Sequence, residues 1–278
     1  MTTMRRIQKI WLFQMKQTLA SRKTYAVLIL IGIFTWSNAQ QISDFASMVQ
    51  IKAHPWVFPH IVNDFICQFV FAAACITLFS DAPWNTDLSS YLVVRSGKRT
   101  QCAGHIFYIA SLSFCFIAYI LIVSIVALLP NIEFADGWGK VLGTLARTDA
   151  SSQIGLSFSI SDYLIGAFTP VKATLLSVIL EWACFTLLGL VTYILNSHLG
   201  KYVGICISAI IVLLDITIAN EWTPFAYHFS PITLAQLTSF VGMNNRFGIT
   251  LLYAGTFFIS CISMLIIIIL LLSRRKQS

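Results

Sequence analysis

Six apolar stretches, each about as long as a bilayer is thick, constrain this chain more than any other feature. A membrane span needs about 20 mostly apolar residues. Stretches of that kind lie at 24–43, 60–79, 105–129, 171–195, 201–219 and 249–273. In lipid each backbone polar group must be satisfied within the protein, which leaves helices packed side by side as the natural solution. Composition agrees. Hydrophobic residues make up 57% of the chain, charged ones only 10%, and the mean hydropathy is +0.79. A soluble core of 278 residues does not need that much apolar surface. The expectation is an all-α, polytopic membrane protein with six transmembrane helices in one transmembrane domain, 1–278. The first stretch is the weakest, because its apolar centre at 24–36 is short and Asn38-Ala39-Gln40-Gln41 follow as a polar tail.

Six spans put both termini on one side, and charge says which. Thirteen of the eighteen cationic residues fall on that side. They are Arg5, Arg6, Lys9, Lys16, Arg22 and Lys23 near the N-terminus, and Arg95, Lys98 and Arg99 between spans two and three. Lys201 and the C-terminal Arg274, Arg275 and Lys276 complete the set. Cytoplasmic loops carry such an excess, so both termini are expected in the cytoplasm. The net charge of +7 is therefore a topology signal, with no nucleic-acid partner implied. Six of the seven cysteines lie in apolar stretches and Cys102 is expected in a cytoplasmic loop. None has a paired or metal-ligand spacing, so neither disulfides nor a metal site are expected.

The N-terminus mimics a secretory signal, since basic residues precede an apolar run and Ser37-Asn38-Ala39 resembles a cleavage site. The basic region is too long for one. Residues 4–20 instead predict a retained helix lying in the membrane interface. Met4, Ile7, Trp11, Met15 and Leu19 would form its apolar stripe and Arg5, Arg6, Lys9 and Lys16 its polar face. Two extracellular loops, 131–169 and 220–248, are each expected to hold one or two short helices. The second, with Trp222, Phe225, Tyr227, Phe229 and Ile232, is too apolar for a free loop and predicts short re-entrant helices before the last span. Simple anchoring in the headgroup belt explains the same aromatics.

The segment 80–104 is a polar break of unusual design. Ser80-Asp81-Ala82-Pro83 end a span, Asp87 is placed to cap a short helix, and Leu88, Tyr91 and Leu92 share one face of it. Val94 and Arg95 lead into the basic run ending at Arg99, with Gly97 free to turn the chain. Such an amphipathic turn can enter a groove on a soluble partner. The competing explanation is an ordinary inside loop held by its positive charge.

This order of parts resembles the permease subunit of bacterial ABC exporters of the six-helix, type-2 class. The resemblance covers the whole chain as architecture and is specific as sequence only around 81–99. It implies a cytoplasmic coupling helix built on Asp87, Leu88, Tyr91, Leu92, Val94 and Arg95. It further implies two copies of a separate cytoplasmic ATPase subunit holding ATP and Mg, a second and identical permease protomer, and export across the bacterial plasma membrane. The chain itself carries no G-x-x-x-x-G-K-[ST], no H-E-x-x-H and no G-x-S-x-G, so it is not expected to be an enzyme or to bind a cofactor.

Two acids fall inside spans, Glu181 and Asp215. An acid at mid-bilayer costs about 2.5–3.5 kcal/mol, so each needs a partner or a wet cavity. They are read either as hydrogen-bonded structural groups or as part of a translocation path or proton relay. The second reading supports a rival, a proton-coupled secondary carrier. A non-transporting membrane anchor for a cytoplasmic complex is a further alternative. Gly200, Gly204 and Ser208, at i, i+4 and i+8, form a ridge of small residues for close helix packing. The abundance of Phe, Tyr and Trp would suit an amphipathic or lipid-like cargo, and lipid-facing aromatics account for the same counts.

Overall fold

The computed structural model describes residues 3–84, 97–200, 202–220, 224–242, 245 and 248–275. The helices are α1 (Thr3–Leu19), α2 (Arg22–Met48), α3 (Phe58–Val62), α4 (Phe65–Phe79), α5 (Lys98–Val126) and α6 (Gly139–Arg147). They continue with α7 (Ala150–Gln153), α8 (Asp162–Ala167), α9 (Pro170–His198), α10 (Val203–Ala219), α11 (Pro231–Ala235) and α12 (Leu251–Arg275). Tighter 3-10 turns occupy Pro224–His228 and Leu237–Phe240. Among the described residues no β-strand forms; a single parallel bridge joins Ala53 to Ile132.

Among the described residues four helices, α2, α5, α9 and α12, are long and apolar enough to cross a membrane, as expected of a helical membrane protein. α4 and α10 are equally apolar but have only 15 and 17 residues. The apolar stretch at 60–79 is not one helix. α3 stops at Val62, and α4 restarts at Phe65 because the Asp64 carboxylate accepts hydrogen bonds from the Ile66 and Cys67 amides at 3.0 and 3.2 Å. The other Asp64 oxygen takes the Ser159 amide at 3.1 Å, tying the long loop to the break.

The third stretch also differs from expectation. α5 starts at Lys98, a full two turns before residue 105, since hydropathy marks where lipid begins and not where helix begins. Gly97, with φ +81°, makes the turn into it. Cys102 consequently sits inside a helix, buried, and not in a loop.

α1 lies across the first turns of α5. Ile10 seats on Gly104, where even a Cβ would stand 2.6 Å from the isoleucine Cγ2. Trp11 meets Phe107 edge-on at 5.6 Å. The face turned to the protein is centred on Ile10 and Gln14, with Trp11 and Met15 of the expected stripe partly buried against the core, and Met4 and Leu19 are exposed. They join the exposed Leu12 as a second apolar flank, while Arg5, Arg6, Lys9 and Lys16 are exposed on a third. A helix with one side on protein, one apolar side open and one cationic side is suited to an interface.

At the opposite end of the bundle the loop 131–169 holds three short helices, one more than the upper expectation, packed through Leu142, Leu145 and Leu164. The 3-10 and α11 segments before α12 are buried as well, with Ile232, Leu234, Ala235 and Leu237 all inaccessible.

Candidate functional site: a polar seam along α9

α9 presents Ser177, Glu181, Cys184, Leu188, Thr192 and Asn196 at spacings of three and four, so these residues share one face. All six are buried. Facing them are α4, α10 and the short helix α11. The seam has three levels.

At the level of α11, Asn63 is the hub. Its amide nitrogen donates to the Pro59 carbonyl at 2.6 Å and to Ser177 Oγ at 3.1 Å. Its carbonyl oxygen accepts from the Leu237 amide and from the Thr238 amide at 3.3 Å. One side chain thus joins the α3–α4 break, α9 and the turn before α12. Nearby, Thr233 Oγ1 donates to Asp215 Oδ1 at 2.6 Å, fixing α11 to α10. Ser230 caps α11 through the Thr233 amide at 3.3 Å, and Tyr227 donates to the Ser239 carbonyl at 3.1 Å.

At mid-seam the Gln68 amide lies beside the Glu181 carboxyl. Both residues are buried, yet none of their four terminal polar atoms completes a hydrogen bond. Asp215 also keeps one oxygen without a partner. Cys184 lies within electrostatic reach of both acids, and Cys75 of Glu181. Glu181 and Asp215 are not hydrogen-bonded to each other, because both oxygens of Glu181 are unpartnered and the bonded oxygen of Asp215 is taken by Thr233. Among the described residues no group of three His, Cys, Asp or Glu is placed to hold a metal ion.

At the α1 end the seam turns aromatic. Trp84 stacks on Tyr193 of α9 with centroids 5.9 Å apart and planes 14° apart, and on His105 of α5 at 5.4 Å and 27°. Tyr108 meets it edge-on at 4.9 Å. Asn196 donates to the Ala82 carbonyl at 3.0 Å and accepts from the Gly204 amide at 2.8 Å. Lys23 of α2 pairs with Asp81 and donates to Ser80 Oγ at 2.9 Å. Beside this cluster opens a cavity of about 480 Å³, lined by Thr18, Ser21, Lys23, Asp81, Trp84 and Asn196 among others.

The residues singled out from sequence fall into three groups. Glu181 and Asp215 are both enclosed within the chain, at 2% and 4% exposure, and neither faces outward. Gly204 and Ser208 pack against α9 of the same chain. Ser208 and Thr192 hydroxyls lie 2.8 Å apart, and a Cβ on Gly204 would stand 2.7 Å from Asn196 Oδ1 and closer still to the Thr192 carbonyl. Gly200 takes no part in that ridge. It precedes α10, with φ +131°, and a Cβ there would stand 3.8 Å from Val203 Cγ2. Asp87, Leu88, Tyr91, Leu92, Val94 and Arg95 lie outside the described residues.

Sequence reasoning missed Asn63, Gln68, Trp84, His105, Tyr193 and Asn196. A signal existed for two of them: Asn63-Asp64 ahead of Phe65 is a helix-start pattern, and Gln68 is an amide inside an apolar run. His60 and His105 are likewise buried, each 2% exposed. Fold and site together define a helical membrane protein with a buried polar seam. No family model, characterised protein or solved structure matches this chain.

Proposed function

We propose that the chain is the membrane-spanning subunit of an ATP-driven exporter of the six-helix, type-2 ABC class. The observation that supports this most is the order of elements. α1 lies across the base of α5, six apolar helices follow in the sequence α2, α4, α5, α9, α10 and α12, and the buried α11, flanked by two 3-10 turns, precedes the last. In this reading α4 and α10 are also spans, shorter than the other four. Segments 224–240 are the re-entrant element, and the α1 end faces the cytoplasm of a bacterial cell. Two identical protomers bind two copies of an ATPase subunit through Asp87, Leu88, Tyr91, Leu92, Val94 and Arg95. Closure of the ATPase pair moves that segment, tilts the spans and opens an outward path for an amphipathic or lipid-like cargo.

The test is copurification. The tagged chain, solubilised in mild detergent, is expected to bring with it a protein bearing G-x-x-x-x-G-K-[ST] and ATP hydrolysis. Tyr91→Ala with Leu92→Asp should stay in the membrane and lose coupling between hydrolysis and transport. A chain that purifies alone, with no ATP-hydrolysing companion after crosslinking in cells, overturns the proposal.

One observation favours a second reading. Gln68 and Glu181 leave four buried polar atoms unpartnered, which a proton-coupled carrier would use. Transport that persists without ATP, collapses with a protonophore and vanishes in Glu181→Gln would select the carrier. ATP-dependent, protonophore-resistant transport only modestly reduced in Glu181→Gln would select the exporter.

A further inference from the structure

The end of α4 is fastened far more elaborately than a loop start requires. In the five residues 80–84, Asp81 is held by Lys23 of α2 and the Ala82 carbonyl by Asn196 of α9. Asn196 in turn holds the first turn of α10 through the Gly204 amide. Trp84 then inserts its ring between α5 and α9, against His105, Tyr108 and Tyr193, and is 8% exposed.

Its backbone is also unusual. Trp84 has φ +54°, a left-handed conformation that a bulky side chain adopts only where its surroundings hold it. Here the holding contacts are the ring stacks and the turn bond from the Trp84 amide to the Asp81 carbonyl at 2.8 Å. Trp84 also borders the cavity of about 480 Å³. Tyr193 also donates to Cys102 Sγ at 3.6 Å, tying α9 to α5.

We propose that Trp84 is a positioning residue: a lever that turns displacement of 80–84 into joint movement of α5 and α9. The physical basis is that moving the ring strains its contacts with α5 and α9 at once, while the Asn196 bond holds the chain just before it. A pull on the chain at residue 84 therefore bears on α5 and α9 together, and through Asn196 on α10. The role in transport rests on the exporter reading above, while the mechanical link from 84 to α5 and α9 does not.

The test has two arms on the full-length chain in lipid nanodiscs. The first compares amide hydrogen exchange in wild type, Trp84→Ala, Trp84→Leu and Trp84→Phe. Expected is at least a tenfold faster exchange at 80–84 and 193–204 in the Ala and Leu variants, with α12 unchanged and Phe close to wild type. Unchanged exchange at 193–204 in both Ala and Leu overturns the lever and leaves the exporter reading intact. The second arm uses the chain assembled with its ATPase subunit. Trp84→Ala and Trp84→Leu should hydrolyse ATP at near wild-type rates while transport falls at least tenfold, and Trp84→Phe should restore it. A residue that merely stabilises the fold would lower both activities in parallel, and that parallel loss overturns the lever. Should no ATPase subunit exist, the exporter reading fails and the first arm alone decides. Should Trp84→Ala fail to fold, Trp84→Leu carries both arms.

Discussion

α9 and α12 are apolar helices of similar length, 29 and 25 residues, set in opposite surroundings. Their most apolar windows have mean hydropathies of 2.0 and 2.8, yet 61% of the α9 window is buried in the protein against 11% for α12. The more apolar helix is the more exposed one. In a soluble protein that ordering would be perverse. In a bilayer lipid is as apolar as leucine, so burial in protein selects for polar and small groups that neighbouring helices can satisfy. Hydroxyls on both helices bond back to their own backbone, Thr192 of α9 to the Leu188 carbonyl at 2.9 Å among them, but those of α9 also reach other segments. Thr256 and Ser260 of α12 fold back onto carbonyls of their own helix, at 2.9 Å each. Ser177 and Thr192 of α9 meet Asn63 and Ser208 on other segments.

The comparison breaks most visibly at the tightest contact of α9. Gly204→Leu drives a side chain into the Thr192 backbone, and a loss of about 3 kcal/mol or more is expected. Thermal unfolding in detergent would show it. Because this contact is internal, cysteines placed at 192 and 204 should crosslink within one chain and leave its oligomeric size unchanged. A stable Gly204→Leu protein would mean that α9 is not closely packed.

Within α12 the two faces should separate cleanly. Phe258 is 2% exposed and Phe258→Ala should cost about 3 kcal/mol, since it empties a filled site. Asn63→Ala comes next, at about 2 kcal/mol, because it strands two backbone amides and the Ser177 hydroxyl. Exchange at Leu237 and Thr238 should rise with it, while exchange in α12 stays as it was. Ile259→Ala should change stability by no more than about 0.5 kcal/mol, as Ile259 is 69% exposed. A large loss there would show that the open face of α12 is covered by protein in solution.

Length and apolarity made α2, α5, α9 and α12 legible, because a membrane demands both over about 20 residues. What stayed hidden was set by contacts distant in sequence. Nothing near residue 84 announces a partner at 193, and nothing near 63 announces one at 237. The break at Asn63–Asp64 was locally readable, but a continuous apolar count over 60–79 outweighed two polar residues. The start of α5 was missed for the reverse reason: Lys98-Arg99-Thr100-Gln101 are helical without being apolar. Glu181 was recognisable as costly, whereas its neighbour Gln68 depends on how α4 and α9 turn toward each other.

The shortness of α4 bears on how the chain is made. Fifteen residues rise about 22 Å, well under a hydrocarbon thickness of about 30 Å, and Asp64 heads the helix. α4 packs on α2, α9 and α10, two of which are synthesised later. A nascent chain ending before residue 170 therefore holds a poorly anchored segment, shielded on one side only. Its burial is completed only once α9 and α10 have been made.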